Sequence, residues 1–165
     1  MNSALTMLAD PQGGVVMGFV NKEIFYVRFI GHVSTPLGTK CATLLRKQLA
    51  NTPVAGFFCD AEPGANLDLS ARSAIIRAFL DNRCHLESMT TLVGSPIVAA
   101  TVRAIATVLD GLAYIAETPD EFHSMLIRAA PYAQAKLPRD KWTRTMLSER
   151  PDYKSVRSMR VAPRR

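Results

Sequence analysis

The sequence predicts an α/β domain: a mixed, mainly parallel sheet opened by an N-terminal hairpin and flanked by about four helices. Three observations carry this. Two β-branched and aromatic runs come first, separated only by Asn21-Lys22-Glu23, the pattern of a hairpin. Short apolar runs then alternate with helical stretches of ordinary length, which implies parallel strands joined by right-handed crossovers. Thr35-Pro36, Ser95-Pro96 and Thr118-Pro119 repeat the signature of a helix cap followed by proline in the first turn. The order reads ββαβαβαβα.

After the Gly13-Gly14 break, Val15 to Val20 and Ile24 to Val33 form the hairpin strands. With Thr35 as N-cap, Leu37, Cys41, Leu44, Leu45 and Leu49 recur at helical spacing and give one apolar face. Val54 to Cys59 is a continuous apolar run closed by Asp60, which suits a strand covered on both faces. Residues 61–67, with Pro63, Gly64 and Asn66, read as a loop, and Asp68 as the cap of a helix burying Leu69, Ile76, Phe79 and Leu80. Met89 to Val93 is the next strand. The helix after Ser95 buries Ile97, Val98, Val102, Ile105 and Leu109 and ends at Gly111. Leu112 to Ala116 is the last strand, and Thr118 with Glu121 opens a capping box ahead of Phe122, Met125, Leu126 and Ala129.

Charge divides the chain near Ala130. Residues 131–165 hold ten basic side chains against Asp140, Glu149 and Asp152, a net +7, so the other 130 residues carry −1 of the total +6. Four prolines in the same stretch interrupt helical runs. The expectation is a folded domain at 14–130 and a basic, flexible C-terminal extension at 131–165. No apolar run reaches the roughly 18 residues of a spanning helix, and no export signal opens the chain. Cys41, Cys59 and Cys84 are too few and too scattered for a disulfide framework or a zinc site, so a reducing cytoplasm is expected.

Candidate chemistry is sparse. Gly31 to Lys40 follows a strand and opens a helix, but six residues separate its glycines where a phosphate-binding P-loop has four, and Pro36 removes one of the N–H groups such a loop needs. The histidines His32, His85 and His123 lack metal-ligand spacing. Adjacent Cys84 and His85 point in different directions on a helix. Asp60, Glu62 and Asp68 gather carboxylates around one loop without the dense spacing of a calcium site. With no acid, base and nucleophile set, no enzyme, metal or cofactor is expected.

One position stands apart. If Asp68 is the N-cap, Ser70 is the second helical residue, its hydroxyl among unpaired N–H groups at the positive end of the dipole. A phosphate on it would add about two negative charges beside Asp60, Glu62 and Asp68. The other reading is an ordinary first-turn serine.

Phe57-Phe58-Cys59-Asp60, seven residues, and then Asp68-Leu69-Ser70-Ala71 resemble the STAS domain of bacterial anti-sigma factor antagonists of the SpoIIAA type. That family has an aspartate ending the central strand, seven residues, and Asp-Ser-Ser-Gly at a helix start. Leu69 stands in place of the first serine and Ala71 in place of the glycine, while Thr91-Leu92-Val93-Gly94-Ser95-Pro96 is similar to an LVGSP stretch in STAS-like proteins. The resemblance spans about residues 14–129. It implies a STAS-like single domain acting as a cytoplasmic, non-enzymatic protein-interaction module. Ser70 would be the phosphorylated residue, the docking loop would comprise Asp60, Glu62, Asp68, Leu69, Ser70 and Ala71, and the partner would be a serine kinase, an anti-sigma-like protein or a scaffold.

The extension offers an alternative. Lys136, Arg139, Lys141, Arg144, Arg157, Arg160, Arg164 and Arg165 interleave with aromatics including Trp142, a composition that pairs phosphates and stacks on bases or lies on an anionic surface. The chain would then be a scaffold or adaptor whose tail binds nucleic acid, an anionic surface or an acidic partner. Self-association and carriage of a lipid or other small ligand are left open by the sequence.

Overall fold

The computed structural model describes residues 5–61 and 66–131. The chain divides into two units, Met1–Ala133 and Gln134–Arg165; the second, with every residue of the predicted basic extension beyond Pro131, lies outside the described residues, as does Glu62.

The described residues form strands β1 (Thr6–Ala9), β2 (Gly13–Phe19), β3 (Ile24–Val33), β4 (Gly56–Ala61), β5 (Asn66–Leu67), β6 (Met89–Val93) and β7 (Ala113–Ala116). The helices are α1 (Thr35–Leu49), α2 (Leu69–Asp81), α3 (Pro96–Val108) and α4 (Pro119–Ala129). The sheet runs β1-β2-β3-β4-β6-β7, with β5 paired to the end of β3. β2 pairs antiparallel with both β1 and β3, and β3, β4, β6 and β7 are parallel. This is the mixed α/β architecture the periodicity predicts, with two additions. β1 precedes Gly13-Gly14, where the domain was expected to begin; its four residues alternate half-buried and exposed, too short a run to register as a strand. β5 occupies part of the expected 61–67 loop and pairs His32 with Asn66 and Val33 with Leu67.

Successive strand residues point to opposite faces, which separates two layers of packing. On one face Phe57 stacks on Phe25 at 5.2 Å and meets Phe79 of α2 edge-on at 4.7 Å. Val15, Met17, Val27 and Phe29 join it under α1, α2 and α3. On the other face Phe58 meets Phe122 of α4 edge-on at 5.7 Å. Burying one such phenylalanine is worth about 1.5–3 kcal/mol over leaving it exposed.

The helix starts follow the cap chemistry with one shift. Ser34, not Thr35, caps α1, its hydroxyl accepting from Leu37 N at 3.3 Å while donating to the Asp10 carboxylate. Thr35 is thereby the first helical residue. Ser95 and Thr118 cap α3 and α4 through Val98 N and Glu121 N, each at 3.2 Å; such caps contribute about 1 kcal/mol. The Glu121 carboxylate accepts from Glu117 N at 2.7 Å and from the Tyr114 hydroxyl, one residue earlier than a reciprocal capping box.

The buried face of α2 also differs from expectation. Ala71, Ile75, Ala78 and Phe79 are buried, whereas Leu69 is 68% exposed and Leu80 38%. Small residues are inside because α1 lies against them: a Cβ on Gly38 would sit 2.3 Å from the Ala71 Cβ.

Candidate functional site

The region singled out by its spacing lies where β3, β4 and β5 end and α1 and α2 begin. Asp68 opens α2, its carbonyl accepting from Arg72 N at 2.9 Å, and its own N–H donates to Val33 O at 3.1 Å. Its carboxylate caps no N–H of α2. It crosses to α1 instead, accepting from Thr35 N at 2.8 Å and Thr35 Oγ1 at 3.0 Å, and pairs with His32 Nε2 at 2.9 Å. The expected local cap is therefore a tertiary clasp joining both helix starts to the end of β3. Hydrogen bonds from the Thr35 backbone and then its hydroxyl, with His32 adding to them, hold the Asp68 carboxyl below the ordinary aspartate value.

The remaining predicted docking residues separate. Leu69 and Ser70 are exposed. Ala71 is fully buried against α1, so it supplies helix packing rather than surface. Asp60 is also fully buried, inside β4 rather than closing it, and does not belong to a surface loop. Its register partner across the parallel pair is Arg28, whose Nε lies 3.6 Å from Asp60 Oδ2, and the Tyr26 hydroxyl donates to the same oxygen at 3.4 Å. A buried carboxylate is retained only when paired, and β3 supplies both groups. Asp60 and Asp68 thus serve different partners and form no common cation site. Among the described residues, no three His, Cys, Asp or Glu side chains are grouped to hold a metal.

Sequence reasoning passed over His32 and Thr35 as site residues. Only the β3–β5 pairing brings them against Asp68, and no spacing within the chain announces it.

Ser70 sits at the second position of a 13-residue helix, beside a large exposed apolar side chain and a held carboxylate. The first-turn N–H groups and the dipole favour an anion there. Phosphate on Ser70 would meet attraction from the helix end and repulsion from Asp68.

No protein-family model and no curated protein matches the chain. Solved structures do match it in fold. An uncharacterised protein of the DUF3478 family with a SpoIIAA-like fold, from Shewanella loihica PV-4, aligns over 72% of this chain and 98% of its own, with a TM-score of 0.56 and 14% identity. The anti-sigma factor antagonist SpoIIAA in its unphosphorylated form aligns over 78% and 97%, with a TM-score of 0.50 and 14% identity. The Bacillus cell fate determinant SpoIIAA in its phosphorylated form aligns over 74% and 99%, at 0.50 and 12%. The described domain has the SpoIIAA-like, STAS-type fold.

Proposed function

We propose that the chain is a non-enzymatic, cytoplasmic protein-interaction module that docks a regulatory partner through the start of α2 and is switched by phosphate on Ser70. The observation that carries this is Leu69, 68% exposed, immediately before an exposed serine on a helix start clasped by Asp68. A partner that buries Leu69 gains about 2 kcal/mol from that side chain. A phosphate one residue away would place about two charges in the same interface and oppose its desolvation. SpoIIAA, an anti-sigma factor antagonist solved in unphosphorylated and phosphorylated forms, supports the reading through fold. A serine kinase, an anti-sigma-like protein or a scaffold is the partner class.

The test is affinity capture from native extract with the full chain, comparing wild type, Ser70→Asp and Leu69→Glu. A partner held by the wild type and lost from both variants supports the proposal; identical sets from all three refute it.

The +7 charge of residues 131–165 favours a second reading, an adaptor that binds nucleic acid or another polyanion through its tail. Such binding would weaken steeply with salt. Truncation after Ala130 that leaves salt-dependent polyanion binding unchanged would remove it.

A further inference from the structure

Beneath α2 and α3, on the sheet face opposite Phe58, lies a cavity of about 70 Å³. Its walls are mainly apolar, with Phe29, Ile75, Phe79, Met89, Val102 and Ile105 among them. Cys59 and Thr91 form part of its floor from neighbouring parallel strands, paired in register. Arg72 and Asn66 also line it, placing polar groups at the α2 side.

Thr91 is the unusual member. It is fully buried, and among the described residues its Oγ1 has no hydrogen-bond partner. A buried hydroxyl left unpaired is costly, and native structures seldom keep one without a use. Valine would fill the same space at a β6 position without that cost. Cys59 is buried too, and burial pushes its thiol well above the ordinary value, so the floor is uncharged.

The space limits what fits. A water needs about 10–15 Å³ of such volume, and a dry cavity of about 150 Å³ takes benzene. At about 70 Å³ the cavity is less than half that size, so it encloses a short branched chain or only part of a ring, the remainder standing toward its open side. Apolar walls with one placed polar group are the ordinary composition of a small-molecule site.

We propose that this cavity binds a small neutral molecule, mostly apolar and carrying one hydroxyl or carbonyl, which exchanges a hydrogen bond with Thr91 Oγ1. The proposal is independent of the Ser70 switch and of any partner at Leu69.

Phenol and benzene are a matched pair of probes, differing by one hydroxyl. Titrated into the full chain and followed by the methyl resonances of Ile75, Val102 and Ile105, phenol is expected to shift them saturably and to bind about tenfold tighter than benzene, the ratio that about 1.4 kcal/mol supplies. Thr91→Val keeps the shape and removes the hydroxyl, so it folds and loses the phenol preference. Absence of saturable shifts with either probe overturns the site. Equal affinities in the wild type, or a phenol preference that survives Thr91→Val, overturns the role of Thr91.

Discussion

Gly38→Ala probes the contact that sets the position of α2. A Cβ at residue 38 would lie 2.3 Å from the Ala71 Cβ and 2.7 Å from its Cα, where carbon atoms prefer about 3.5–4.0 Å. The two helices must separate by more than an ångström, and because the Ala71 backbone is met as well as its methyl the overpacking cost lies in the upper part of its usual range, about 2–3 kcal/mol. Alanine returns about 1 kcal/mol through its helix propensity. The expected net loss is about 1–2 kcal/mol. With an m value near 2 kcal/mol/M, the urea midpoint falls by about 0.5–1 M at unchanged slope. The double variant Gly38→Ala/Ala71→Gly removes the 2.3 Å contact but keeps the 2.7 Å approach to the residue 71 Cα, so it is expected to recover part of the loss rather than all of it. A single variant as stable as wild type, or a double variant whose losses simply add, refutes the packing argument.

Two further outcomes follow from the site and the core. The folded-state pKa of Asp68 is depressed, so its clasp stabilises fully above the unfolded aspartate value of about 3.9 and is lost as pH falls through the lower folded value. Acid unfolding monitored below about pH 4 should be less steep in Asp68→Asn; an unchanged acid limb counts against the clasp. Cys41 is buried with its thiol pushed up to about 12, Cys59 is buried and raised further, and Cys84 is exposed. An aromatic disulfide reagent should therefore label one of the three thiols in the native chain and the other two only on unfolding, and rapid native labelling of Cys41 or Cys59 would contradict their burial.

The sequence was most legible where the controlling physics is local. Ser95 and Thr118 cap the helices they precede because a hydroxyl reaches an N–H within its own turn. Apolar period separated strands from helices through β7 and α4. What escaped depends on contacts between elements. Leu69 and Leu80 look like core, but Gly38 lets α1 press on the alanines of α2, turning those leucines outward. Asp60 reads as a surface acid until β3 pairs with β4 and sets Arg28 beside it. Asp68 reads as the cap of its own helix, yet β5 pairing brings it to Thr35 and His32. The short spacing from Asp60 to Ser70 marks the stretch between the end of β4 and the start of α2, while the division of its residues between surface and interior comes from strand register.

The claim that the start of α2 is a docking face is tested most directly by a photo-crosslinking side chain, p-benzoylphenylalanine, at position 69 of the full chain in cells. The same group at Lys22, exposed in the turn between β2 and β3, serves as the control. The account predicts a protein adduct from position 69 that disappears when Ser70→Asp is added, and no such adduct from position 22. No adduct from position 69, or the same adduct from both positions, would contradict it.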